Sequence, residues 1–204
     1  MLGFDSSTIR KARKASFVAS AASRQKGAYA VEFAFVFVIF FLVLYGIITY
    51  GLIFAAQQSM NFAAESGARA GLQWQAGNST LALAARAEKA LEVSKDHSSW
   101  VDQMAGGNTL KMVACSVQLK TPESEDGTQT FQVLAYPDDS NKSLCSLTNT
   151  AVDANKLEVV IYYPYQEAPM IPYLGPSSIM SVAVPTALQG RATVDLGIAL
   201  DHSS

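Results

Sequence analysis

Two histidines and two cysteines are all that this chain of 204 residues offers for metal or thiol chemistry. No Cys-x-x-Cys or His-x-x-x-His spacing is present, so a metal centre is not expected. His202 lies near the end of the chain, and His97 sits in the polar stretch Lys95–Ser99; both read as solvated side chains rather than catalytic bases. Also missing are a Gly-x-Ser-x-Gly elbow, a phosphate-cradling Gly-x-x-x-x-Gly-Lys-Ser/Thr loop and a Gly-x-Gly-x-x-Gly turn. The acidic clusters Glu123–Gly127 and Asp138–Asn141 do not follow calcium-loop spacing and read as solvated turns. No nucleophile and base can be paired by motif, so the reading is non-enzymatic and without a cofactor; a tethered hydrolase is the weakest alternative.

Charge is absent over one long stretch. Phe33 to Ala56 is 24 residues without Lys, Arg, Asp, Glu or His, and as a helix it reaches about 36 Å, enough to span a bilayer. It is too long for a secretory h-region of about 7–15 residues. No second run of comparable apolar length exists, so the expectation is a single-pass protein crossing as a helix. Residues 1–27 carry six basic side chains against Asp5 alone, whereas residues 57–204 carry nine basic against fifteen acidic. The positive-inside rule then puts the N-terminus in the cytoplasm and the C-terminal part outside, with the lipid bilayer as a partner. Beside a span, a basic leader reads as a topology signal on anionic lipid, not as a nucleic-acid arm.

Glu32 is the one acidic residue beside that run, and it follows Gly27 by five positions. An ionised side chain at mid-bilayer costs roughly 2.5–3.5 kcal/mol on insertion scales, so an acid at the end of a span calls for a function. The sequence Gly27-Ala28-Tyr29-Ala30-Val31-Glu32-Phe33-Ala34, after a basic leader and before an apolar helix, resembles the type IV prepilin signal. More closely it resembles the TadE-like minor pseudopilins of the tight-adherence (Flp-type) pilus system. The likeness continues through Tyr45–Gly51 to Asn61–Gly71, about 45 residues in all.

That resemblance implies a prepilin peptidase that cuts between Gly27 and Ala28, leaving Glu32 as the fifth residue of the mature chain. A glycine lacks a Cβ, and so lets backbone enter a protease site extended. Glu32, with Phe33 beside it, is then placed to meet a free α-amino group, its own or a neighbouring subunit's, and an amine within about 4–6 Å stabilises the carboxylate. The implied partners are the peptidase, other pseudopilins, inner-membrane pilus-assembly proteins and a major pilin. The implied place is the inner membrane, with a periplasmic domain or a position in the pilus. The alternative of another class is an uncleaved, single-pass periplasmic scaffold. Two features depart from the family's habit. No proline interrupts Phe35–Phe41, which points to an unkinked helix, and Ala28 replaces the Phe or Leu frequent in major pilins, so N-methylation is not implied.

Four regions follow: a basic leader, 1–27; a transmembrane helix, 28–56; a helical stalk with a second helix, 57–105; and a β-rich domain, 106–204. The first helix continues past the membrane, and Ala63, Gly67 and Gly71 form a small-residue ridge on which another helix can approach closely; a plain alanine-rich helix is the other reading. Gly77-Asn78-Ser79 ends it, and Leu81–Met104 reads as an amphipathic helix with Glu92 and Lys95 spaced for a pair. After Gly106-Gly107-Asn108, strands are expected at Lys111–Leu119, Thr130–Ala135, Leu157–Tyr163, Ile179–Val184 and Ala192–Ile198. The fold is thus α+β: a long N-terminal helix, a second helix and an antiparallel sheet. A proline-rich, partly apolar loop, Tyr163–Pro176, either meets a partner or covers a sheet edge. Cys115 and Cys145, in an oxidising compartment, either pair or stay as buried thiols; pairing would contribute about 3–4 kcal/mol in the chain-entropy model.

Overall fold

The computed structural model describes residues 22–73, 80–120, 130–148, 150, 153–173 and 183–197. The elements in order are α1 (Ala22–Gln73), α2 (Thr80–Met104), β1 (Lys111–Lys120), β2 (Thr130–Tyr136), a 3-10 helix (Asp139–Leu144), β3 (Lys156–Tyr163) and β4 (Leu188–Asp195). The four strands make one antiparallel sheet in the order β2-β1-β3-β4. This is the expected α+β arrangement. The chain divides into two compact units, residues 1–46 and 47–204.

In the first unit, the described side chains from Gly27 to Leu44 are all exposed. Long apolar residues with no proline and no glycine between Ala28 and Tyr45 favour an uninterrupted helix, and α1 runs unbroken.

In the second unit, α1 becomes one-sided. Thr49, Ile53, Ala56, Met60, Ala63, Ala64 and Ala68 are buried, a three-and-four spacing that marks one helix face. That face joins Ala87, Ala90 and Val101 of α2 and Ala114, Leu157, Val159 and Ile161 of the sheet in a single core. Small residues let the layers close up. A Cβ on Gly67 would lie 2.0 Å from Ser94 Oγ and 2.5 Å from the Ala90 carbonyl oxygen, and one on Gly71 would lie 2.4 Å from Leu157 Cδ2. The ridge of Ala63, Gly67 and Gly71 therefore receives α2 of the same chain. Arg86 donates to the Gly71 carbonyl at 3.2 Å, satisfying one of the orphan acceptors at the end of α1.

The turn out of α2 rests on Asp102. Its carboxylate accepts the N–H groups of Asn108 (3.0 Å), Thr109 (2.9 Å) and Leu110 (3.2 Å), while Gly106, Gly107 and Asn108 take positive φ angles. The boundary read at Gly106-Gly107-Asn108 is thus a left-handed helix exit, the conformation glycine adopts without a Cβ penalty. Burial pushes the Asp102 carboxyl up, but these donors outweigh it and hold its pKa below the usual carboxylate value.

β1 and β3 are the inner strands and are buried on both faces. Ala114, Leu157, Val159 and Ile161 point to the helices, while Val113, Cys115 and Val160 face the other side, where Leu144, Cys145 and Leu147 pack on them.

Several expectations shift. β4 begins at Leu188, four residues before the expected Ala192, because Leu188 pairs with Tyr163 and Gly190 admits the α1 backbone. It ends at Asp195, whose carboxylate accepts the Gly197 N–H in a turn with positive φ at Gly197, so Leu196 and Gly197 do not extend the strand, and Ile198 lies outside the described residues. Glu92 pairs with Lys89 at 2.7 Å, not with Lys95; both lysines lie three residues away, so spacing alone does not choose between them. The strand expected at Ile179–Val184 lies outside the described residues except for Ala183 and Val184, and these two are not in a strand. Gly77-Asn78-Ser79 and Glu123–Gly127 also lie outside them. Asp138–Asn141 is the start of the 3-10 helix, with Asp138 accepting the Ser140 N–H at 2.8 Å.

Candidate functional site on the N-terminal helix

Gly27, Ala28, Glu32 and Phe33 lie on the exposed stretch of α1. Ala28 and Glu32 are four residues apart, so they share one helix face with about 6 Å of axial rise between them. An amine at Ala28 would stand one turn from the Glu32 carboxylate, within the reach of a glutamate side chain. Among the described residues, Glu32 has no ion-pair partner.

Phe33 opens a ladder with Phe37 and Phe41, its ring centroids 6.0 and 6.4 Å apart. Rings at this spacing stack along one face and present a continuous aromatic stripe outward. A Cβ on Gly27 would meet nothing within 4 Å, so the glycine is not required by packing. The Gly27–Ala28 peptide lies inside α1, which starts at Ala22. Helical backbone is not the extended form a protease takes, and a glycine there weakens the helix locally by roughly 0.5–1 kcal/mol relative to alanine.

The remaining residues singled out from the sequence lie in the second unit. Cys115 and Cys145 are joined, S–S 1.98 Å, with Cα atoms 5.9 Å apart. His97 is exposed and meets the Phe62 ring edge-on at 5.0 Å. Of the proline-rich loop, residues 163–173 are described. Its first turn folds back on itself, with Glu167 and Ala168 donating to the Pro164 carbonyl and Tyr163 donating its hydroxyl to the Ala168 carbonyl. Burial, with Tyr165 and Tyr173 nearby, pushes the Tyr163 hydroxyl up to about 12, so it remains a donor.

One cluster was not anticipated. Glu158 is completely buried in β3, opposite Cys115 in the sheet register. Its carboxylate takes the Ser146 N–H at 2.7 Å, the Ser146 hydroxyl at 2.5 Å and Arg191 Nη1 at 2.5 Å, and Arg191 Nη2 reaches the Leu144 carbonyl at 3.0 Å. With the disulfide, these bonds clamp the segment after the 3-10 helix onto the sheet. The available signal was a lone acid inside the apolar strand Leu157–Tyr163, since an unpaired buried carboxylate is rarely tolerated.

No curated protein and no solved structure matches the chain. A match comes at the level of families, and it lies within α1: it begins at Gly27, takes in Glu32 and Phe33 on the exposed stretch and Ala63 and Gly67 on the packed one, and ends before α2. Over residues 27–69 the chain fits the family model of the TadE-like proteins, and in this segment it is similar to them.

Proposed function

We propose that this protein is a minor pseudopilin of a tight-adherence (Flp-type) pilus, processed by a prepilin peptidase between Gly27 and Ala28, and that it helps initiate or assemble the filament for surface attachment. The observation that carries the reading is the placement of Gly27, Glu32 and Phe33 on the exposed stretch of α1, at the head of its charge-free run and inside the segment that fits the TadE-like family model. Removal of the leader creates an amine at Ala28 one turn from Glu32. Pairing of that amine with Glu32, within the chain or between subunits, offsets the cost of bringing a carboxylate toward lipid and fixes axial register. The exposed apolar helix then serves as inner-membrane anchor before assembly and as packing surface for other pseudopilins, assembly proteins or a major pilin afterwards. The β-rich unit stands in the periplasm, where a disulfide persists.

A second reading, an uncleaved single-pass scaffold, is favoured by one observation: the Gly27–Ala28 bond is helical. The intact mass of the protein purified from membranes, with and without a co-expressed cognate prepilin peptidase, separates the two. Peptidase-dependent loss of residues 1–27 supports the pseudopilin, and an unchanged mass supports the permanent anchor.

A further inference from the structure

The chain has two long charge-free runs, and the structure brings them together. The first continues from Phe33 to Ala64, and the second is Ala168 to Gly190. Within the second unit, Tyr50 of the first run donates its hydroxyl to the carbonyl of Ala183 in the second at 2.5 Å, and Gln57 donates to the carbonyl of Gln189 at 2.8 Å. Gln166 N–H donates to the Thr186 carbonyl at 3.2 Å, tying the first turn of the proline-rich loop to the same place.

Here α1 has two different sides. Thr49 and Ile53 are 4% and 8% exposed, whereas Ile47 and Phe54 are 66% and 67% exposed, with Ile48 and Tyr50 about half exposed. Large apolar side chains in a charge-free band, on a helix whose opposite side is covered by protein, call for an apolar neighbour on their own side.

Helix length says which neighbour. A hydrocarbon core of about 30 Å takes about 20 helical residues. Counted from Ala28, the first residue after the proposed cut, 20 residues end at Ile47; counted from Phe33, after the glutamate, they end at Leu52. Both counts finish beside Tyr50. The stretch exposed on every side and free of charge, Phe33–Leu44, is about 18 Å long and too short alone. Tyrosine, apolar in its ring and polar at its tip, is the residue type that settles at such a boundary.

We propose that the outer bilayer interface lies along α1 between Ile47 and Leu52, and that the Ala183–Thr186 segment is a lipid-contacting foot of the second unit. The foot meets the headgroup and upper acyl region of a phospholipid surface. This rests on the reading of α1 as a membrane anchor. The segment suits the place, since Ala183-Val184-Pro185-Thr186 carries no charge, and the Ala183 and Thr186 carbonyls are occupied by Tyr50 and Gln166.

The test uses the full chain in phosphatidylethanolamine–phosphatidylglycerol nanodiscs. Both native cysteines are bonded to each other, so an added cysteine is the one free thiol for an environment-sensitive fluorophore. Three variants are labelled: Ala183→Cys at the foot, Val36→Cys in the span and Asp139→Cys on the exposed 3-10 helix. Lipids carrying quenchers at the headgroup or deep in the acyl chain read the depth. The expected result is a blue-shifted Ala183 label quenched from the headgroup, a Val36 label quenched from the acyl chain and an unquenched Asp139 label. An Ala183 label indistinguishable from Asp139, with Val36 still quenched, overturns the foot and leaves the span intact. Loss of quenching at Val36 as well overturns the anchor and the foot together.

Discussion

Ser94 Oγ occupies the space that a Cβ of Gly67 would need: it donates to the Ala63 carbonyl at 3.1 Å and lies 2.0 Å from the ideal Cβ position. The contact joins α1 to α2 by close backbone approach, with a hydrogen bond taking the place of side-chain interlocking. The same device recurs at Gly190, where a Cβ would fall 2.3 Å from the Met60 carbonyl oxygen.

Gly67→Ala and Gly190→Ala should therefore each destabilise the protein, by about 1–3 kcal/mol, the usual range for overpacking. At Gly67, alanine's helix preference, about 1 kcal/mol, offsets part of the loss; at Gly190 the neighbour is main chain and cannot turn away. Gly190→Ala should be the worse of the two. Thermal unfolding of the full chain in detergent, followed by near-UV circular dichroism, measures both; an unchanged midpoint for Gly190→Ala would contradict the α1–β4 contact.

Arg191→Met should cost about 3–5 kcal/mol, because it leaves the buried Glu158 carboxylate with Ser146 as its donor and no positive charge. Since Cys145 and Ser146 anchor the same segment, removing the disulfide by a double Cys→Ala change and removing Arg191 should not be additive. A double-mutant cycle in urea reads the coupling, and strict additivity would show that the two clamps act independently.

Acid should weaken the protein in a defined window. Asp153 is held down to about 2 by the Thr148 N–H, then the Thr148 hydroxyl and Lys156. A depressed folded-state pKa means the contribution is fully present above the unfolded value of about 3.9 and is lost as pH falls from there toward about 2. Asp102 acts in the same direction. Urea midpoints at pH 5 and pH 3 should differ less for Asp153→Asn than for the parent; equal differences would remove Asp153 from the acid response.

Gly27→Leu should block maturation, leaving a protein that keeps residues 1–27 by mass. Glu32→Ala should still be cut but should fail in assembly, seen as loss of surface pili by electron microscopy. Normal piliation with Glu32→Ala would end the assembly role of that carboxylate.

Local pattern made much of this legible. Both helices and the strands at Lys111, Thr130 and Leu157 are readable from periodicity and turn residues, because each signal lies within the element itself. β4 was less so. Its first half, Leu188-Gln189-Gly190-Arg191, is polar and contains a glycine, and it becomes a strand through pairing with β3 and contact with α1. Glu158 escaped notice for the same reason: its partners Ser146 and Arg191 are 12 and 33 residues away, and nothing local ties them together.

The sequence by itself determined the charge-free helix, the spacing of Gly27 and Glu32, the basic character of residues 1–27 and the α+β order, all of which follow from neighbours along the chain. Only the tertiary structure decided that the small-residue ridge receives α2 of the same chain, that Cys115 meets Cys145, that a buried carboxylate locks the sheet's outer face, and that the two charge-free runs meet at Tyr50 and Ala183. Those contacts join segments 12 to 133 residues apart. Their geometry depends on how the layers close on one core, which no local pattern encodes.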